Sequence, residues 1–229
     1  LGDPLALPDM ANAVSRIRRA LRAKHPILIF GDSDLDGVTA AAIVYETLTA
    51  LLRRESRAQR PEAAPVSVRL SNRLADGYGF PPALIQRVIR DGVKLVIVVD
   101  CGTNQPEELR LLARRGIDTV VLDHHLPMGT PAEARAMVNP HRGSGVGREL
   151  CSAGLALKLA QALWPGHLEL LLGLLDIAAL GTLADYAPLR AENRIVVSVG
   201  LARLLATNRP GLKQLCDAVG LVTPTPEHI

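Results

Sequence analysis

Four short apolar runs punctuate the first 122 residues: Ile27 to Phe30 (ILIF), Val66 to Leu70 (VSVRL), Leu95 to Val99 (LVIVV) and Asp118 to Leu122 (DTVVL). Unbroken runs of this length are the pattern of strands buried on both faces, and the alternation in VSVRL is that of a half-buried one. Helical patterns lie between them. Residues 9–24 place Val14, Ile17 and Leu21 on one face with Arg16, Arg18, Arg19 and Arg22 elsewhere, and Pro26 ends the segment. A polar loop over 31–37 leads into a helix predicted over 38–53, and 54–65 (RESRAQRPEAAP) reads as a solvated loop. Pro81 and Pro82 open a helix that runs to Arg90, and Gly116 closes one over 106–115. Strand and helix thus alternate four times, which predicts an α/β fold: a Rossmann-like parallel sheet with helices on both faces. After Asn139-Pro140 the pattern changes to a Gly-rich loop (143–147) and a mainly helical portion that packs onto the sheet. No linker rich in Gly, Ser or Pro divides the chain. The expected organisation is one domain over 1–229: an N-terminal helix (1–26), the parallel α/β part (27–140) and the helical part (141–229).

The chain has 229 residues, 48% hydrophobic and 21% charged, which excludes a disordered chain. A chain this long buries roughly 70% of its unfolded surface and needs neither disulfide nor structural metal to fold. Cys101, Cys151 and Cys216 form no C-x-x-C pair, which argues against a zinc finger or a disulfide scaffold and fits a reducing, cytoplasmic setting. No membrane association is expected. The Leu-rich stretch 168–183 is broken by Glu169, Gly173, Asp176 and Gly181, and the N-terminus lacks the basic and apolar regions of a signal peptide. The net charge of +3 does not by itself point to nucleic acid. At 3% aromatics, a nucleic-acid partner would be gripped by its phosphates more than by its bases.

The candidate chemistry lies where the strands end. Ligands of open parallel sheets bind outside the carboxyl ends of the strands. The residues leaving those ends here are Asp32, Asp34 and Asp36 after the first strand, then Asn72 and Arg73, then Asp100, then Asp123, His124 and His125. Carboxylates crowded at one edge repel one another, and burial penalises them further. One or two divalent cations remove both costs. Aspartate with imidazole suits Mn²⁺, with Mg²⁺ as the alternative; Zn²⁺ has no thiolate placed to favour it. Two ions about 3.5–4 Å apart activate a water and stabilise the leaving oxygen of a phosphate ester. Asp100, leaving a central strand, is the expected bridge between them.

Plainer readings exist for each piece. An EF-hand calcium loop over 32–37 requires an acid six residues after the Gly, but position 43 is Ile, and a strand precedes the loop where a helix is needed. One Asp of the three can cap the following helix. Asp100 beside Gly102, and His124-His125, can each belong to a turn, and Arg73 to a surface ion pair. None of these explains why all fall at strand ends together.

The ordered set resembles the DHH phosphoesterase superfamily and, within it, the RecJ-like single-strand-specific exonucleases. The resemblance rests on Gly31-Asp32-Ser33-Asp34-Leu35-Asp36-Gly37, Asn72-Arg73 with Asp76-Gly77-Tyr78-Gly79, Val99-Asp100-Cys101-Gly102, Asp123-His124-His125, Leu150-Cys151-Ser152-Ala153-Gly154, Gly181-Thr182-Leu183-Ala184-Asp185 and Glu192-Asn193-Arg194. It implies a 5′-to-3′ exonuclease on single-stranded DNA that releases mononucleotides with two Mn²⁺ or Mg²⁺ ions. Another phosphoesterase of the superfamily, acting on short oligonucleotides or nucleotides, or a non-catalytic repair scaffold, remain the alternatives. The implied metal ligands are Asp34, Asp36, Asp100, His124 and Asp185, with Asp32 in the same cluster. His125 and Arg73 would touch phosphate, Arg73 through bidentate bonds that Lys makes less well. Ser152, Gly154 and nearby N–H groups would cradle further phosphates, and Asp123 would orient the His pair. Many relatives carry His where Phe30 stands, so the resemblance leaves one ion held less tightly or by Asp32 instead. It also implies DHHA1 and oligonucleotide-binding domains downstream, and neither is visible within these 229 residues.

Overall fold

The computed structural model describes residues 1–55, 66–77, 79–143 and 145–220. Most of the solvated loop expected over 54–65 therefore lies outside the described residues, as do Tyr78 and Ser144.

Strands β1 (Ile27–Gly31), β2 (Val66–Leu70), β3 (Leu95–Val99), β4 (Asp118–Leu122) and β5 (Ala136–Val138) form one sheet in the order β2-β1-β3-β4-β5, with every neighbouring pair parallel. The first four fall where the apolar runs predicted them. β5 has no such signature: three residues, AMV, are too few for a period to show. They extend the sheet by pairing with Val120, Val121 and Leu122. The chain moves from β1 to one side and then crosses back to β3, so the order reverses between these two strands. Ligands of such sheets bind outside the carboxyl ends at this reversal.

Both faces are covered. The helices are α1 (Met10–Arg22), α2 (Leu35–Glu55), α3 (Arg73–Asp76), α4 (Pro82–Arg90), α5 (Pro106–Arg114), α6 (Ser152–Leu163), α7 (Leu168–Ala184), α8 (Ala191–Leu205) and α9 (Pro210–Ala218). Ile27, Ile29, Ile97, Val99 and Val120 point to a core shared with α1, α2, α6 and α7. The alternate residues Leu28, Phe30, Val96, Val98 and Val121 pack under α4 and α5. The C-terminal helices pack onto the sheet by way of α2, and α8 lies along α7, where Leu180, Val197, Leu201 and Leu204 form a smaller cluster.

Three local expectations change. Helix α2 begins at Leu35 rather than near 38, because Asp34 caps it: its Oδ1 accepts from the Gly37 N–H at 3.0 Å. Arg16, read as lying off the apolar face of α1, turns inward. It is buried, with Nε 2.5 Å from Asp118 and Nη2 donating to the Lys94 carbonyl at 3.1 Å. And α2, not the Leu-rich stretch, is the described helix long and apolar enough to cross a membrane by length and composition; half of that stretch is buried. Its buried face lies between the sheet and helices α6 and α7 and carries Asp36, Thr39 and Thr47, so it serves as a core helix.

Candidate metal centre

The loop leaving β1 folds back on itself. A Cβ on Gly37 would lie 2.5 Å from the Asp32 carbonyl oxygen, so only glycine permits the close approach. This turn puts Asp32 at the end of the strand, Asp34 at the helix cap and Asp36 in the first turn of α2. Asp32 is buried; Ser71 Oγ donates to its Oδ1 at 2.5 Å and Arg73 Nη2 to its Oδ2 at 2.6 Å. The same Arg73 nitrogen reaches Asp34 Oδ2 at 3.0 Å. Arg73 opens the short helix α3, whose first turn is capped by the Asn72 side chain.

Asp36 points the other way, into the start of α6. Its carboxylate accepts from the Ser152 N–H at 2.7 Å and the Ala153 N–H at 2.8 Å, two of the donors that a helix N-terminus leaves without a partner in its own helix. Ser152 Oγ donates to Asp100 Oδ1 at 3.0 Å. Asp100 follows the middle strand in a left-handed conformation (φ 63°), a costly geometry for a non-glycine residue and one that clusters at functional sites. Where α7 crosses this region, Gly181 is the residue of contact. A Cβ there would meet Thr39 Oγ1 at 2.3 Å and Asp36 Oδ1 at 3.2 Å.

The end of β4 supplies the histidines. His124 Nε2 lies 3.4 Å from Asp100 Oδ1 and 3.8 Å from Asp36 Oδ2, while its Nδ1 lies 3.7 Å from Asp185 Oδ2. Asp185 caps the C-terminus of α7. His125 is held differently: Asp123 Oδ1 is 2.7 Å from its Nδ1 and accepts its N–H at 3.1 Å. Asp123 also accepts the Thr103 N–H at 2.9 Å. Asn139, fully buried after β5, donates to the His125 carbonyl at 2.8 Å and to Thr103 Oγ1 at 2.9 Å.

The electrostatics follow from this crowding. Burial and the fields of Asp36 and Asp34 raise Asp100 to about 8. Burial likewise raises Asp36 and Asp185 above the ordinary carboxylate range. Burial disfavours the charged form of His124, yet the hydrogen bond with Asp100 and the charges of Asp185 and Asp36 outweigh it and lift the imidazole to about 9. Asp123 and Asp32 go the other way. Burial would raise both, but the hydrogen bond with His125 lowers Asp123, and those from Arg73 and Ser71 lower Asp32. The site therefore divides into acids held low by a cationic partner, Asp32 by Arg73 and Asp123 by His125, and acids that burial raises while they share one imidazole, Asp36, Asp100 and Asp185.

Among the described residues, three sets of potential ligand atoms each lie within 4.8 Å of one another: Asp32, Asp34 and Asp100; Asp36, His124 and Asp185; Asp100, His124 and His125. All the expected metal residues are thus brought together, and Asp100 belongs to two sets. Ser152 and Gly154, expected at phosphates, are buried in the first turn of α6, where the Ser152 N–H and hydroxyl are engaged by Asp36 and Asp100. Phe30 faces away from the cluster, edge-on to Phe80 at 4.8 Å in the α4/α5 core. Ser71, Thr103 and Asn139 join the site without having been expected there. Ser71 and Asn139 obey the strand-end rule that found the others; Asn139 escaped because β5 was not seen.

The chain belongs to the DHH family: residues 26–182 match the DHH family, N-terminal domain. It is 36% identical over 220 residues to the single-stranded-DNA-specific exonuclease RecJ of Bacillus subtilis, a match covering 95% of this chain and 26% of that protein. Among solved structures it resembles a crystal structure of exonuclease RecJ bound to manganese (34% identity, TM-score 0.82, 95% of this chain and 54% of that one). It also resembles RecJ in complex with Mn²⁺ from Thermus thermophilus (32% identity, TM-score 0.76, 93% of this chain and 30% of that one). The chain thus spans about a quarter of the length of the Bacillus relative.

Proposed function

We propose that this chain is the catalytic core of a metal-dependent phosphodiesterase that digests single-stranded DNA from the 5′ end to mononucleotides in the bacterial cytoplasm. The observation that carries the reading is the charge imbalance at the sheet reversal. Asp32, Asp34, Asp36, Asp100 and Asp185 converge there, with the Arg73 guanidinium and two imidazoles as the described cationic partners. Hard carboxylate oxygens with imidazole nitrogens are a donor set that suits Mn²⁺ or Mg²⁺, and burial, joined by the charges of Asp36 and Asp34, raises Asp100 to about 8. The residues fit two divalent ions. Asp36, His124 and Asp185 would hold one, Asp32 and Asp34 the other, and Asp100 both. Such ions, when bound, supply Lewis acidity and charge neutralisation at a phosphodiester.

The protein's own groups do the rest. Ser152 Oγ and the Ser152 and Ala153 N–H groups fix the rotamers of Asp100 and Asp36 from behind, so these ligands lose little freedom on binding. Arg73, half-exposed beside Asp32 and Asp34, meets a substrate phosphate. His125, oriented by Asp123 and by Asn139 at its carbonyl, presents its ring to the same phosphate. Buried Ser152 acts on the substrate through these ligands.

Incubation with Mn²⁺ and 5′-phosphorylated single strands should release mononucleotides, with chelation stopping the reaction. No release, by this chain or by a longer natural form of it, overturns the proposal. A strand labelled at each end in turn reports the direction.

A further inference from the structure

Among the most exposed large apolar side chains described are four that sit beside the acidic cluster. Leu74 follows Arg73, Leu126 and Met128 follow His125, and Tyr186 follows Asp185. The loop carrying Leu126 and Met128 is not slack. Asn104 pins it at both ends, donating to the Leu126 carbonyl at 3.0 Å and accepting the Met128 N–H at 2.7 Å. Apolar side chains are therefore held out into water on anchored backbone around a strongly polar site.

Tyr186 is the most informative of them. Helix α7 ends in a Schellman motif: the Tyr186 N–H donates to the Leu183 carbonyl at 3.0 Å and the Ala187 N–H to the Thr182 carbonyl at 3.2 Å. Tyr186 occupies the left-handed position of that motif (φ 53°), where glycine is the favoured residue. A bulky residue there is strained, and ordinarily packing repays the strain. Here the side chain is 94% exposed, and packing within the described chain returns nothing. The position also puts the Tyr186 backbone directly after Asp185, whose carboxylate lies 3.7 Å from His124.

We propose that Tyr186 is a stacking residue for a nucleobase next to the phosphate held at the cluster. The inference rests on the phosphodiesterase reading and narrows its substrate class. A polyphosphate chain offers charge alone and calls for a basic rim. A nucleic-acid strand alternates charge with flat apolar surface, which is the alternation found here between the ion-binding centre and its apolar border. The low aromatic content argues against a long stacking platform, but one base needs only one ring.

The test compares two 5′-phosphorylated single strands in Mn²⁺, one with ordinary bases and one abasic at its first two positions. The wild-type chain should prefer the base-bearing strand, and Tyr186→Gly should shrink that preference in kcat/KM by roughly 5- to 150-fold, the size of one base–aromatic stack. Tyr186→Phe should keep it. Glycine relieves the left-handed strain, so the thermal midpoint of Tyr186→Gly should be no lower than wild type, which separates lost stacking from lost fold. An unchanged preference in Tyr186→Gly overturns the inference and points to a protein segment as the rim's partner. Equal slowing on both strands overturns it too, because Tyr186 then acts by positioning Asp185. Hydrolysis of neither strand, by this chain or by a longer natural form of it, removes the phosphodiesterase reading itself.

Discussion

In the helical half of the molecule, buried charges come in matched sets; at the carboxyl ends of the strands they do not. Lys158, buried in α6, donates to both oxygens of Glu192 in α8 and to the Gly2 carbonyl. Arg209 pairs with Glu46 and with Asp176 at 3.0 Å, and Thr207 gives Asp176 a further bond at 2.9 Å. These groups staple α6 to α8 and the start of α9 to α2 and α7. Every charge has an opposite charge and hydrogen bonds beside it, which is the condition under which a buried ion is tolerated. In the acidic cluster three acids share the single His124 imidazole, and burial raises Asp100, Asp36 and Asp185 together. Paired charge holds the fold together, whereas surplus charge of one sign is a site awaiting a partner.

Substitutions should divide along the same line. The largest effect is expected at Asp100. Asp100→Ala should lower turnover by about 10³-fold or more, since it removes the carboxylate common to two of the candidate ligand sets. Asp32→Ala, which touches one set, should cost clearly less. Equal losses of Mn²⁺ stoichiometry by calorimetry in the two variants would break the bridging assignment. Asp100→Asn should also raise the thermal midpoint of the metal-free chain, because it removes an acid whose ionised form the fold resists.

Next comes the matched pair. Lys158→Ala leaves Glu192 without its counter-ion and should cost about 3 kcal/mol in urea unfolding, while Mn²⁺ binding by calorimetry stays as in wild type. A lost metal site with intact stability would reverse the comparison.

The smallest effect is pH. Asp100 is raised to about 8 and His124 to about 9 without metal, and both must lose protons to become ligands. Apparent Mn²⁺ affinity should therefore tighten with rising pH, by up to about tenfold per unit for each proton released. The metal-free chain should move oppositely. A raised carboxyl costs stability as pH climbs from the ordinary carboxylate range towards about 8, and a raised imidazole contributes stability that is lost as pH climbs through about 9. Melting curves with and without Mn²⁺ across this range should diverge as pH increases; parallel curves would show the cluster is not what titrates.

Much of the fold was legible because its strands are either buried on both faces or end in residues that a core excludes. The ILIF and LVIVV runs announce β1 and β3, and the polar residues after them announce a site. β5 was hidden because a three-residue strand has no period of its own and forms only against the edge that β4 offers. Losing β5 lost Asn139. The burial of Arg16 is not legible in the helical period, because the carboxylate that draws this arginine inward lies 102 positions away.

Sequence by itself determined the sheet, its four main strands and the convergence of acids and histidines at one end, since strand direction in a parallel sheet sends every carboxyl end to the same side. It did not determine what each acid does there. Asp34 caps a helix, Asp36 receives the N–H groups of another helix 116 residues away, and Asp185 reaches His124 from the far end of a third. Helix termini and side chains remote in sequence make those assignments, and only the packing of α2, α6 and α7 around glycine contacts such as Gly181 brings them within bonding distance.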